Sequence, residues 1–134
     1  MEATTERHTT RSASSPNAPA AIGPYSQAVR TGNLLFFSGQ IPINPASGKI
    51  ETTDVEGQAL QVIANIEAVL SSAGLSVHNV VKSTMFLQDM ADFPKVNPIY
   101  ENGFDGHKPA RSTIQVAKLP LGALVEIEVI AEFA

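Results

Sequence analysis

Arg111 is the charged residue whose position most suggests a role in chemistry. It opens a run rich in β-branched residues, directly after Pro109 and Ala110. A guanidinium can hold a carboxylate through two parallel hydrogen bonds, a geometry that an ammonium group does not match. The ordinary alternative is an arginine on an edge strand with its side chain in solvent. Arg111 is therefore a candidate carboxylate anchor, and the sequence leaves both interpretations open.

Two carboxylates, Glu126 and Glu128, lie on one face of the last predicted strand, residues 124–133. The other face carries an apolar alternation, made by Val125, Ile127, Val129, Ala131 and Phe133. Because Leu124 and Ile130 share the face with the glutamates, that face resembles a subunit interface with embedded carboxylates. The default alternative for an isolated monomer is a solvated sheet surface.

The two candidate groups could also meet within one sheet. If residues 110–116 and 124–133 pair as antiparallel strands, Arg111 and Glu126 can lie near each other. The sequence does not fix the register of such a pair, so this contact is a hypothesis only.

Other classes of reactive group find little support in the chain. The three histidines, at positions 8, 78 and 107, show no metal-ligand spacing, and His107 is interpreted as a surface residue that could lie near the site. No Gly-x-Ser-x-Gly elbow and no phosphate-binding loop occurs. Gly39 explains a bend at the end of a strand. It does not explain why the polar Ser38 directly follows the apolar residues 34–37. We expect no metal site and no cofactor.

The elements that must position these residues follow from hydrophobic periodicity. Strands are predicted over residues 26–31, 34–40, 80–87, 110–116 and 124–133. A first helix begins at a capping box, with Thr53 as the cap and Glu56 three residues later, and it ends before Gly74. A second helix begins near residues 89–92, and Pro98 predicts a kink or an early break in it.

This order of elements indicates an α+β fold in which two helices pack on one face of a mixed sheet. We predict one domain over residues 18–134. Residues 1–17 contain no aliphatic side chain larger than alanine after the first methionine. They cannot bury enough apolar surface to offset the entropy of ordering, so we predict a disordered N-terminal tail.

Composition excludes several classes of function. The 134 residues carry a net charge of −4 and no run of basic residues, which argues against nucleic-acid binding. The absence of cysteine excludes disulfides, a thiol nucleophile and cysteine-based zinc sites. No apolar run approaches the roughly 18 residues that cross a bilayer, so we expect no membrane partner. We expect a cytoplasmic location, and import into an organelle remains open.

Several segments together resemble the RidA family of enamine and imine deaminases. Residues 18–28 (APAAIGPYSQA) are similar to its N-terminal motif, and residues 38–42 (SGQIP) to its second-strand motif. Residues 92–100 resemble its second helix. Residues 109–113 (PARST), 119–120 (LP) and 125–128 (VEIE) resemble its C-terminal signature. The resemblance runs in order from about residue 18 to the end of the chain.

The resemblance implies a chorismate-mutase-like fold and a homotrimer with sites in the clefts between subunits. It implies hydrolysis of 2-aminoacrylate and related enamine or imine acids, which pyridoxal-phosphate enzymes release, to 2-keto acids and ammonia. By matching residues to motifs, Arg111 would hold the substrate carboxylate and Glu126 would orient or activate the water. The residues that would shape the pocket are Tyr25, Ser38, Gly39, Asn97 and the backbone of Thr113.

The chain departs from the family pattern at three places. Thr113 stands where many bacterial members have cysteine, residues 103–109 form a shorter segment than in some relatives, and Pro98 is unusual within the second helix. These differences bear on substrate preference more than on reaction type. The rival hypothesis is a non-catalytic module that binds small keto acids or other proteins in the same pocket. Some members of the family have been described as translation inhibitors with nuclease activity. The net negative charge of this chain argues against nuclease activity here.

Overall fold

The structure is a computed structural model that describes residues 10–21, 23 and 25–134. Its helices are α1 (Val55–Ser72) and α2 (Phe93–Gly103). The strands are β1 (Thr10–Ala13), β2 (Ala28–Thr31), β3 (Leu34–Phe37), β4 (Ile43–Asn44), β5 (Lys49–Ile50), β6 (Val80–Leu87), β7 (Ala110–Gln115) and β8 (Val125–Glu132).

Six of these strands form one sheet in the order β1-β2-β3-β8-β6-β7, while β4 and β5 form a separate hairpin. Every neighbouring pair in the large sheet is antiparallel except β6 and β7, which are parallel. A parallel pair needs a crossover connection, and α2 supplies it between β6 and β7. The predicted mixed sheet is therefore confirmed.

The core lies between this sheet and the two helices. The alternation predicted for β8 is confirmed, because Val125, Ile127, Val129 and Ala131 are all buried while Glu128 and Glu132 are exposed. The apolar stripe of α1 packs on β8, and α2 packs against α1. The two helices thus cover one face of the sheet and leave its other face, here called the open face, without helices.

Local signals at the helices were only partly interpreted correctly. The cap of α1 is Asp54, whose side chain accepts a hydrogen bond from the Gly57 amide, so the prediction of Thr53 as the cap is wrong. A carboxylate at this position serves the same purpose as a threonine hydroxyl. Helix α2 continues past Pro98 to Gly103 instead of breaking. Pro98 is exposed, so water can satisfy the carbonyl that loses its intrahelical partner.

The predicted tail is wrong for its last eight residues, whereas residues 1–9 lie outside the described part. Thr10–Ala13 forms an edge strand against β2. Beyond it, the buried side chain of Gln27 accepts a hydrogen bond from the Ser15 amide and donates to the carbonyl of Pro19, each over 2.6 Å. Backbone pairing and one buried amide therefore hold a segment that has almost no apolar side chains to bury.

The hypothesis that β7 and β8 pair is also wrong. Strand β6 lies between them, so that Ser83 pairs with Arg111 on one side and with Val129 on the other. The crossover through α2 places β7 beside β6, which leaves β7 at the edge of the sheet. Arg111 and Glu126 are therefore not neighbours within one chain.

Candidate active site

A cavity of about 340 Å³ opens at the end of β3, next to Glu126. We call it the Glu126 cavity. Its wall includes Tyr25, Ser38, Gly39, Gln40, Pro120 and Glu126. The half-buried Glu126 side chain belongs to the open face, because it alternates along β8 with the buried Val125 and Ile127.

Backbone pairing brings Gly39 against Glu126. The amide of Gln40 donates to the carbonyl of Ile127 over 2.8 Å, and the amide of Ile127 donates back over 3.1 Å. A methyl group added to Gly39 would lie 1.9 Å from Oε2 of Glu126 and 2.9 Å from its carboxyl carbon. Gly39 thus leaves room for the Glu126 carboxyl group at its present position.

The surroundings of Glu126 favour its protonated form. Burial raises the pKa of its carboxyl group, and the neighbouring charge of Glu128 raises that pKa further. A carboxyl group with a raised pKa, at the wall of a cavity, is a stronger proton acceptor than an ordinary glutamate and is suited to accept and return a proton.

Ser38 and Tyr25 complete this side of the cavity. The Ser38 hydroxyl donates to the carbonyl of Ser26 over 2.6 Å, and the Ser38 amide donates to the carbonyl of Gln27 over 2.9 Å. Ser38 therefore fixes the segment next to Tyr25, which explains the polar residue after an apolar strand. Tyr25 is 55% exposed and forms part of the rim of the cavity.

Arg111 lies in a second cavity, of about 390 Å³, between β7 and α2. We call it the Arg111 cavity. Its Nη1 donates to Oδ1 of Asn97 over 2.9 Å, and its guanidinium carbon lies 4.8 Å from the centre of the Tyr100 ring. Phe93 lies on the same guanidinium at 5.3 Å. These contacts hold the group in place, and Asn97 takes only one of its five N–H donors.

The platform below Arg111 is itself fixed. The Tyr100 hydroxyl and the Ser83 hydroxyl share a buried hydrogen bond of 2.6 Å, and the Tyr100 ring stacks on Phe104. Burial raises the pKa of Tyr100, although the hydrogen bond from Ser83 and the charge of Arg111 oppose that shift. Tyr100 therefore stays neutral and serves as a flat surface for the guanidinium.

The two cavities lie on opposite faces of the sheet. Arg111 pairs with the buried Ser83 and contacts α2, so it belongs to the face that the helices cover. Glu126 pairs with Phe86 on the open face. A small substrate therefore cannot contact both Arg111 and Glu126 of the same chain.

Most of the described chain matches a known family. Residues 15–133 match the family model described as Endoribonuclease L-PSP. The chain belongs to this family, the RidA family. A RutC family protein of Pyrococcus horikoshii is 50% identical over 115 residues, which cover 86% of this chain and 91% of the relative.

Two further RidA-family relatives carry functional information in their names. The 2-iminobutanoate/2-iminopropanoate deaminase of Escherichia coli is 49% identical over 118 residues, which cover 86% of this chain and 91% of that protein. The crystal structure of E. coli TdcF with bound serine superposes with a TM-score of 0.88 at 42% identity, covering 92% of this chain and 99% of that one.

The residues predicted from RidA motifs thus separate into two groups. Tyr25, Ser38, Gly39 and Glu126 meet in the Glu126 cavity, whereas Arg111 and Asn97 meet in the Arg111 cavity. Thr113 is half-buried on the same face as Arg111, and it is not among the described residues that form either wall.

Sequence reasoning gave no role to two residues of the Arg111 cavity. Tyr100 belongs to the segment that resembles the family's second helix, but helical spacing does not distinguish a core tyrosine from a platform. His107 was interpreted as a surface residue, but its Nε2 lies 2.7 Å from the carbonyl of Val80 and its ring forms part of the cavity wall. Its position four residues before Arg111 was the only available signal.

Two general properties bear on the site. Within the part of the chain that the structure describes, no group of three or more histidine, aspartate or glutamate side chains is arranged to hold a metal ion. No helix among the same residues is long and apolar enough to cross a membrane.

Proposed function

We propose that this protein hydrolyses reactive enamine and imine intermediates of amino acids, such as 2-aminoacrylate, to 2-keto acids and ammonia. The observation that carries the proposal is the half-buried carboxyl group of Glu126, with its raised pKa, at the wall of a cavity. The name of the E. coli deaminase, at 49% identity, supports the same reaction type. The name of the Arabidopsis thaliana relative, Reactive Intermediate Deaminase A, also supports it.

The proposed reaction needs a carboxylate anchor and one acid/base group. Arg111 holds the substrate carboxylate, because Asn97 occupies only one of its donors and two parallel donors remain available. The enamine tautomerises to an imine, whose carbon is already electrophilic. The reaction therefore needs orientation and proton transfer but no metal or cofactor.

Glu126 moves the protons in this scheme. It takes a proton from water as the water oxygen bonds to the imine carbon, and the electron pair of the C=N bond moves to nitrogen. Glu126 then returns the proton to that nitrogen, which leaves a hydroxyl group and an amino group on the same carbon. Glu126 next takes the hydroxyl proton and passes it to the amino nitrogen. The C–N bond breaks, ammonia leaves and the carbonyl of the keto acid forms, so that one water is consumed for each ammonia released.

We further propose that the two cavities combine between subunits of a homotrimer. Arg111 and Glu126 lie on opposite faces of one chain, so a substrate can touch both only where two chains meet. The open face supports this assembly, because Phe36 is 41% exposed and Ile114 is 44% exposed there, beside the glutamates. A ring of identical contacts would place Arg111 of one chain opposite Glu126 of the next.

The remaining predicted residues take supporting roles in this arrangement. Tyr25, at the rim, closes over the substrate, and Ser38 holds the neighbouring segment. Gly39 leaves room for the Glu126 carboxylate, and Asn97 orients Arg111. Thr113 lies outside both walls within one chain, so its backbone would contribute to the site only where two chains meet.

The direct test supplies freshly generated 2-aminoacrylate and follows the release of ammonia and pyruvate. We expect the protein to exceed the spontaneous rate, and we expect the Glu126→Gln variant to lose that excess. A wild-type rate equal to the spontaneous one would leave the non-catalytic binding module as the better description, since the Arg111 cavity alone can bind a small carboxylate.

A further inference from the structure

His107 joins the loop before β7 to the neighbouring strand. Its Nε2 lies 2.7 Å from the carbonyl oxygen of Val80, the first residue of β6. A carbonyl oxygen can only accept a hydrogen bond, so Nε2 of His107 carries the proton and donates it. The register of β6 with β8 shifts between Val80 and Lys82, and such an irregularity interrupts the regular ladder. A side chain can therefore bind the sheet at this point.

The loop that His107 ties down turns sharply between α2 and β7. It spans residues 104–109, and two consecutive residues in it, Asp105 and Gly106, adopt left-handed φ angles of 53° and 75°. The backbone amides of Asp105 and Gly106 donate to carbonyls in the last turn of α2, and the amide of His107 donates to Phe104. These bonds tie the loop to α2, whereas the side chain of His107 ties it to β6.

Arg111 lies four residues after His107, on a strand that has a single neighbour in the sheet. Strand β7 is at the edge, where it pairs with β6 alone. The guanidinium of Arg111 meets Asn97 at 2.9 Å and lies 4.8 Å from the centre of the Tyr100 ring, and both partners belong to α2. A shift of the start of β7 relative to β6 would therefore move the guanidinium away from its two contacts on α2.

We propose that His107 is a positioning residue, whose bond to Val80 holds the start of β7 so that Arg111 presents two parallel donors to the substrate carboxylate. This inference rests on the role of Arg111 as carboxylate anchor in the proposed function. His107 and Arg111 both form part of the wall of the Arg111 cavity. An anchor binds the carboxylate equally in the ground state and in the transition state, so its displacement raises KM and leaves kcat nearly unchanged.

The test compares two substitutions of His107. His107→Gln keeps an N–H donor at the same number of bonds from the backbone as Nε2, whereas His107→Leu removes the donor and keeps a similar size. We expect His107→Leu to raise KM for 2-aminoacrylate about 10-fold, the effect of roughly one lost hydrogen bond, with kcat within about twofold of wild type. His107→Gln should keep KM within about threefold of the wild-type value.

A double-mutant cycle with Arg111→Lys separates positioning from a general loss of stability. His107→Leu should lower the melting temperature in both backgrounds, because the carbonyl of Val80 loses its donor. Since His107 acts through Arg111, His107→Leu should change KM by less than about twofold once Arg111 is replaced. His78→Leu is the matched control. The ring of His78 lies 5.5 Å from that of His107, but its Nε2 contacts Asp105, so KM should stay at the wild-type value.

Three results would overturn the inference. The first is a wild-type KM in His107→Leu. The second is an equal rise in KM on adding His107→Leu to the wild type and to Arg111→Lys, which would indicate a structural role only. The third is a His107→Gln variant with a KM as high as that of His107→Leu, which would show that the donated hydrogen bond is not what matters.

Binding of pyruvate separates this inference from the proposed function. Pyruvate is the product of 2-aminoacrylate deamination, and calorimetric titration with it measures the carboxylate anchor without turnover. We expect its Kd to rise about 10-fold in His107→Leu. If wild-type protein binds pyruvate without accelerating deamination, the proposed reaction fails and the Kd values still decide the role of His107. If wild-type protein accelerates deamination and His107→Leu keeps both KM and Kd, the function stands and His107 has no role in it. A wild-type protein that does neither overturns both.

Discussion

Gly39→Ala is a small change with a calculable effect on Glu126. The added methyl group would lie 1.9 Å from Oε2 of Glu126. Ordinary contact begins near 3.4 Å, so the carboxylate must move by about 1.5 Å. A displacement of about 1 Å at a reacting group can cost on the order of 100-fold in rate. We therefore expect kcat to fall about 100-fold, which corresponds to about 2.7 kcal/mol of transition-state stabilisation.

The same substitution should leave stability and substrate binding almost unchanged. The φ angle of Gly39 is not in the left-handed region, so alanine can adopt its backbone conformation. The half-buried Glu126 side chain can move into the cavity to relieve the contact. Arg111 lies in the other cavity, so KM should stay within about threefold of the wild-type value.

The assay measures steady-state deamination of 2-aminoacrylate together with the melting temperature. Gly32→Ala is the contrasting control, because its added methyl group meets nothing within 4 Å but must adopt a φ of +59°. It should lose about 1 kcal/mol of stability and keep its activity. If Gly39→Ala keeps wild-type kcat, the position of Glu126 is irrelevant to the reaction and the site assignment is wrong.

Three further predictions concern the charged groups and the assembly. Arg111→Lys should reduce kcat/KM about 10- to 150-fold in the same assay, although the charge is conserved. Lysine cannot keep both the bond to Asn97 and two parallel bonds to the substrate. A loss below threefold would contradict a bidentate anchor. Glu126→Gln should bind substrate but lose turnover. It should also melt at a higher temperature than wild type at pH 8. The folded-state pKa of Glu126 is raised, so its contribution to stability is fully present below the unfolded pKa and is lost as the pH rises through the folded pKa. The difference should vanish below about pH 4, and a difference that persists there would refute burial as its cause. Light scattering should give three times the 14.2 kDa chain mass, and a 14.2 kDa species at micromolar concentration would contradict the trimer.

Much of the fold could be predicted because it depends on local periodicity. The alternation of β8 and the apolar stripe of α1 both follow from side chains that must face one core. The cap of α1 was misassigned because Thr53 and Asp54 are adjacent and both residue types cap helices well. Strand β1 was missed because Gln27, a single distant side chain, helps to hold the segment that follows it.

The sequence identified the residues of the candidate site but not how the fold arranges them in space. The motifs identified Arg111 and Glu126, yet the sequence left open whether their strands pair. Strand order depends on the crossover through α2, which inserts β6 between β7 and β8 and is not encoded in either strand. The contact between Gly39 and Glu126 was also invisible, because it depends on the pairing of Gln40 with Ile127 far along the chain.

The most direct test of a site shared between chains is complementation of two inactive variants. Arg111→Ala and Glu126→Gln are each purified, shown to be inactive in deamination, and then unfolded and refolded together in equal amounts. In a cyclic trimer, about one quarter of the interfaces then combine an intact Arg111 from one chain with an intact Glu126 from the next. We predict that the mixture recovers about that fraction of wild-type activity. If the mixture stays as inactive as the separate variants, although mixed trimers are shown to form, both groups act within one chain and the two-chain site is wrong.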